Sequence, residues 1–261
     1  MMEPAQFRSH LPLVLLIDIS KSTEDIRELI NKCQKQMLRA MMEDLTLQGC
    51  VYLYILHFNG ACEPVVEFEL LDTLSERGAL NDDSDELDIK ESYGCTNTGL
   101  AILTALQAVD EQKTEWRKNR AENVFQPLMF LLTDGYPDAG LGASEEEKAA
   151  VERAYRNAAE EIQRREKKGG NGRAKITFAA AGIQRRNGCS ANIPRLKELT
   201  SHADHVVAVT DDADGSVDVA GLSQFFDMIY LATTTTVNGK ETDMDAIVRT
   251  MASVLTAFEK L

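Results

Sequence analysis

Two stretches of the chain are apolar at nearly every position and then stop on an acid. Leu13-Val14-Leu15-Leu16-Ile17 runs straight into Asp18, and Pro127-Leu128-Met129-Phe130-Leu131-Leu132 runs through Thr133 into Asp134. A strand with one face in water alternates apolar and polar residues, whereas a strand that is apolar throughout must be covered on both faces. Such strands belong to a mostly parallel sheet with helices on either side. A carboxylate at the end of such a run is costly to bury unless backbone donors or an ion satisfy it. The two acids are therefore the first places to look for chemistry.

The rest of the chain fits the same architecture. Apolar residues recur at threes and fours over 24–46, a long amphipathic helix closed by Gly49. Residues 51–58 read as a second strand. Asn59-Gly60 is a hairpin signal, and 63–68 form a third strand antiparallel to the second. Residues 69–92 show no period and hold the acidic run 81–88, which reads as a surface insertion. Helices are expected over 98–118, with Leu100, Leu103, Leu106, Ala108 and Val109 on the buried side, and over 145–168, ended by Gly169-Gly170-Asn171-Gly172. A strand at 175–181, a short helix at 193–200, a short strand at 205–209 and a helix at 216–231 continue the alternation. The tail 241–261 carries Met244, Ile247, Val248, Met251, Leu255 and Phe258 at helical spacing, a C-terminal helix packed on the domain or extending from it. The expectation is one doubly wound α/β domain over 11–232, with six strands, one of them an antiparallel edge, and helices on both faces.

Bulk chemistry narrows the partners. A net charge of −14 over 261 residues repels nucleic acid and anionic lipid. The five cysteines, Cys33, Cys50, Cys62, Cys95 and Cys189, are scattered, without a C-x-x-C pair, as in reduced cytoplasmic proteins. No apolar stretch approaches the roughly 20 residues of a membrane span. A soluble, cytoplasmic protein is expected.

In doubly wound sheets ligands bind beyond the carboxyl ends of the strands. Three polar segments fall there: Asp18, Ser20 and Ser22; the loop Tyr93-Gly94-Cys95-Thr96-Asn97-Thr98; and Thr133-Asp134-Gly135. An all-oxygen set of carboxylates and hydroxyls suits a hard divalent cation, Mg²⁺ in the cell, with Mn²⁺ or Ca²⁺ able to substitute. Uncharged hydroxyl ligands leave positive charge on the ion, so an open position attracts an acidic group.

The D-x-S-x-S of 18–22, Thr96 and the Thr133-Asp134-Gly135 turn, in this order, resemble the metal-ion-dependent adhesion site of von Willebrand factor type A domains. The two apolar strands further resemble the bacterial TerY-type proteins of tellurium-resistance and stress operons. The resemblance implies metal ligation by Ser20, Ser22 and Thr96 directly and by Asp18 and Asp134 partly through water, with Thr98 as competitor for the threonine role. It also implies an interaction module whose protein partner supplies Asp or Glu to the metal, and operon neighbours such as a kinase, a phosphatase or tellurium-resistance proteins. Two positions depart from the family pattern: Lys21 and Cys95 stand where glycines are usual.

Simpler readings exist for each part. Asp18 could cap the following helix, and Asp134-Gly135 is a common turn pair. Cys95 reads as a small residue in a tight turn and His57 as a satisfied core histidine. Residues 210–215 lack the acids of a calcium loop at positions one and twelve. An alternative function, a Mg²⁺-dependent hydrolase or phosphatase using Asp18 as nucleophile, lacks a second carboxylate at Ser20 for acid–base work.

Overall fold

The computed structural model describes residues 9–119, 123–133, 137–167, 174–184, 190–210, 219–239 and 244–249. The first apolar run becomes β1 (Ser9–Asp18), in the middle of the sheet. Its neighbours are parallel: β2 (Val51–Phe58) on one side, with Asp18 opposite Phe58, and β5 (Leu128–Thr133) on the other, with Ile17 opposite Leu132. Beyond β5 lie β6 (Thr177–Gln184) and β7 (Val206–Thr210), also parallel. Beyond β2 lies β3 (Cys62–Leu70), antiparallel as the Asn59-Gly60 turn predicts. The path is therefore β3-β2-β1-β5-β6-β7, the expected six strands. A seventh, β4 (Asn123–Val124), pairs with Ser9 and His10 at the start of β1, and two residues are too few to show a sequence pattern.

Side chains of β1 divide by parity, as a pleated strand requires. Leu11, Leu13, Leu15 and Ile17 pack with α1 (Arg27–Glu43) and α6 (Val219–Val237). Val14 and Leu16 pack with α3 (Thr98–Lys118) and α4 (Glu145–Lys167). Both faces are covered, which is why the strand carries no polar residue between Leu11 and Asp18. Helices α3 and α4 touch at Gly99, where a Cβ would lie 2.3 Å from the backbone of Ala154 and Tyr155. Only glycine allows that approach.

Residues 69–92 differ from the surface insertion the sequence implies. Their first two residues finish β3, α2 (Leu71–Glu76) follows, and Leu71, Leu74, Ala79, Leu80, Leu87 and Ile89 are all buried in the α1 face of the core. Helix α1 holds the segment by its backbone. Arg27 donates to the Lys90 carbonyl at 2.8 Å, Asn31 exchanges two bonds with Ile89, and Gln34 and Arg39 donate to the carbonyls of Leu87 and Leu80. The acidic run is likewise paired: Asp82 with Arg39, Asp85 with Lys90, Glu86 with Arg77 and Asp88 with Lys35. The apolar residues here follow no period because the segment is a strap, and periodicity reports only regular elements.

Other boundaries shift for local reasons. Helix α1 begins at Arg27 rather than 24 because the chain first makes a 3₁₀ turn over Lys21–Thr23, closed by the Thr23 hydroxyl donating to the Ser20 carbonyl at 2.8 Å. Helix α6 continues through Thr233–Thr236, whose hydroxyls each donate to the carbonyl four residues back. Leu100, expected inside, is exposed, and the buried stripe of α3 runs through Ala101, Ile102, Ala105, Leu106 and Val109. The helix α5 (Ile193–Lys197) is short. In the tail, residues 244–249 are helical, with Met244 and Ile247 in the core; residues 250–261 lie outside the described residues. Among the described residues no helix is long and apolar enough to cross a membrane.

Candidate metal centre

Strand order reverses direction at β1 and β5, so the crevice beyond their carboxyl ends is the switch point of the sheet. Asp18 stands there, only 1% exposed. Its Oδ1 accepts the backbone N–H of Ser20 at 2.8 Å, and its Oδ2 accepts the hydroxyl of Thr133, at the end of β5, at 2.5 Å. Two donors and one carboxylate thus tie the two strand ends together.

Ser20 and Ser22 follow on the 3₁₀ turn, their hydroxyl oxygens 3.0 Å apart. The spacing of two residues puts both on the same side of the turn's entry. The third segment is the loop before α3, whose Tyr93 and Asn97 N–H groups donate to the carbonyls of Ile19 and Asn59 beyond β1 and β2. Gly94 adopts φ +81°, a left-handed conformation that lets the loop turn back. Thr96 then pairs with Asp138 as an antiparallel bridge, N–H to carbonyl in both directions at 3.2 and 2.8 Å. Asn97 caps α3 by accepting from the N–H of Leu100 at 3.1 Å. Asp138 steadies its own turn by accepting from the N–H of Gly140. That Asp138 grips the Thr96 loop is invisible in the sequence, because an isolated bridge has no periodic signature.

Ser20, Ser22 and Thr96 line one cleft of about 720 Å³, together with Lys21, Gly94, Cys95, Asp138, Lys148 and Glu152. Thr98, the competing threonine, sits in the first turn of α3 and is 1% exposed, outside that lining. Asp134 lies outside the described residues. Lys21 is exposed at the rim. Cys95 fills the space beside Gly60, where an added Cβ would lie 2.7 Å from its sulfur, so its role is packing.

His57, one residue before the end of β2, is not the satisfied core histidine expected. It is buried, and its Nε2 has no hydrogen-bond partner. Burial pushes its pKa down to about 4, against a smaller opposing pull from Asp88. The ring is held neutral by desolvation.

A doubly wound domain with an oxygen-lined cleft at its switch point is the class this fold and site define. The family model of the von Willebrand factor type A domain matches residues 13–220, and the chain belongs to that family. Members of the family bind partners through a metal-ion site and are typically interaction modules rather than enzymes. Solved structures with the same fold include the mussel byssus protein PTMP1 with a zinc-occupied adhesion site, 13% identical over 85% of this chain and 48% of its own, TM-score 0.51. A von Willebrand factor type A protein from Catenulispora acidiphila is 15% identical over 87% of this chain and 43% of its own, TM-score 0.52. The minor pilin PilB of Streptococcus sanguinis is 15% identical over 90% of this chain and 64% of its own, TM-score 0.51. The chain thus spans about half the length of the mussel protein and less than two thirds of the others. A search of curated proteins returns no significant match.

Proposed function

We propose that this chain is a protein-interaction module that grips an acidic residue of its partner through a divalent cation held by Ser20, Ser22 and Thr96, with Asp18 and Asp134 completing the site. The observation that carries the reading is the convergence of Ser20, Ser22 and Thr96 on one cleft, over a buried Asp18 whose two oxygens are already oriented. Donors of this kind fit a hard cation. Oxygen ligands in this number favour Mg²⁺, with Mn²⁺ or Ca²⁺ as substitutes, and zinc fits them less well than it fits nitrogen or sulfur. When bound, such an ion supplies positive charge at an open position; the chain's own residues fix where that position faces. Asp18 is too enclosed and too engaged with Ser20 and Thr133 to serve as a nucleophile, which favours the binding module over a hydrolase. The resemblance of the two central strands to TerY-type sequences supports a cytoplasmic place in a bacterial stress or tellurium-resistance assembly, with a kinase or phosphatase among candidate partners.

The test is capture of partners from lysate on the immobilised chain, with Mg²⁺ and with EDTA, for wild type and Thr96→Ala. Capture that requires Mg²⁺ and is lost in Thr96→Ala is the expected result. Equal capture in EDTA contradicts the reading.

A further inference from the structure

The amino ends of the strands carry a second cluster, far from the crevice just described in the order of the sheet. His202 and His205 are three apart across the single 3₁₀ turn Ala203–His205 that leads into β7. Residues three apart eclipse in such a turn, and the two rings stack with centroids 4.7 Å apart. Asp245, on the helical residues 244–249, reaches the same point. One ligand atom each from His202, His205 and Asp245 lies within 4.8 Å of the others.

The hydrogen bonds of His205 decide what these atoms can do. Its Nδ1 lies 3.1 Å from the Phe178 carbonyl, an acceptor only, so Nδ1 carries the proton. In the neutral ring Nε2 is then a lone pair, yet it faces Asp245 Oδ1, another acceptor, at 3.1 Å. Two acceptors at that distance need a cation between them: a second proton on the ring or a metal ion. A histidine whose far nitrogen is anchored to a backbone carbonyl is the arrangement metal-ligating histidines use. The turn itself is pinned. Buried Glu166 accepts from the Thr200 hydroxyl and from the N–H and hydroxyl of Ser201, and Thr200 in turn accepts the N–H of His202. Glu166 is consumed by this positioning and is not a ligand.

We propose that His202, His205 and Asp245 form a second metal site, selective for zinc or a similar late first-row divalent ion. Ligands on tetrahedral zinc stand about 3.3 Å apart, given bonds near 2.0–2.1 Å. The 3.1 Å pair already meets that spacing, and the exposed His202 and Asp245 side chains have room to close on it. Three protein ligands leave one coordination position open, and it faces a cleft of about 820 Å³ lined also by Lys175 and Gln126. The nitrogen-rich set separates this site from the oxygen-lined crevice by metal preference.

The experiment is calorimetric titration of Zn²⁺ into the full chain carrying Ser20→Ala and Ser22→Ala, with excess Mg²⁺ and a non-chelating reductant present. One equivalent of zinc is expected. Asp245→Asn or His202→Ala, both at exposed positions that spare the core, should weaken it by at least the 10–100-fold typical of lost supporting groups. Cobalt substitution should give visible absorption that disappears in the same variants. No zinc uptake would mean that a proton alone bridges His205 and Asp245, and would overturn the proposal. So would uptake unchanged in Asp245→Asn, or uptake abolished by alkylating the cysteines.

Discussion

At the carboxyl ends of the strands Asp18, Ser20, Ser22 and Thr96 present oxygen alone, whereas at the amino ends His202, His205 and Asp245 present two nitrogens and an oxygen. The same sheet builds both, but by different means. The first is assembled from segments at the ends of neighbouring strands, set by the register of β1 and β5, and from the loop before α3, which the Thr96–Asp138 bridge ties in. The second hangs on one short turn and a terminal helical segment, and depends on Glu166 to hold the turn still. Two buried histidines show the same contrast. His205 is engaged at both ring nitrogens, while His57, near the upper crevice, leaves Nε2 without a partner. Directed partners fix the orientation of the first ring, whereas the second is simply enclosed.

The largest expected effect breaks the comparison outright. Asp18→Ala removes the carboxylate at the base of the crevice and strands the Ser20 N–H and Thr133 hydroxyl, at a stability cost of about 1–3 kcal/mol. Mg²⁺ stabilisation in thermal melts should vanish, while zinc uptake at the opposite end persists. Loss of both responses together would show that the two ends are one cooperative site.

His57 gives an effect of similar size, confined to stability. Its folded-state pKa of about 4 lies below the value near 6.5 of an unfolded histidine. Between these values the unfolded chain binds the proton and the folded chain does not, so stability falls as pH drops from about 6.5 towards 4. The full loss is about 3 kcal/mol. Urea unfolding of wild type and His57→Leu at pH 7 and pH 4.5 should show a smaller pH difference in the variant. An identical difference would mean that the ring is solvated or paired.

Lys21 sharpens the account of the upper crevice. An ammonium about 6 Å from a dication costs about 1.4 kcal/mol even at the dielectric constant of water, or about tenfold in affinity. Because the side chain is exposed, the water value applies. Lys21→Gly should tighten Mg²⁺ by about tenfold in calorimetry. A site that appears only in Lys21→Gly would show that the lysine itself serves as the native cation.

The regular parts of this molecule were legible in the sequence. β1, β2 and α3 follow from unbroken apolar runs and from three-four periodicity, and the antiparallel edge from Asn59-Gly60. The D-x-S-x-S spacing pointed to the crevice at the carboxyl ends because its polar residues close a strand that is apolar up to Asp18. What stayed hidden was held together by irregular contacts. The strap over 71–92 buries Leu80, Leu87 and Ile89, whose successive spacings of seven and two sustain neither a helical nor a strand period. The bridge from Thr96 to Asp138 and the meeting of His202 and His205 with Asp245, forty residues on, exist only once the chain has closed. His57 read as a satisfied core residue because burial is visible in the sequence and hydrogen-bond partners are not.

The central claim is that the crevice over Asp18 is a built cation site. Its most direct test is calorimetric titration of Mg²⁺ into the metal-free wild type and into the Ser20→Ala, Ser22→Ala double variant under identical conditions. The account predicts one Mg²⁺ per wild-type chain, a melting temperature that climbs with free Mg²⁺ as RT ln(1 + [L]/Kd) requires, and neither response in the double variant. A wild type that stays silent at millimolar Mg²⁺, or a double variant that binds as the wild type does, contradicts it.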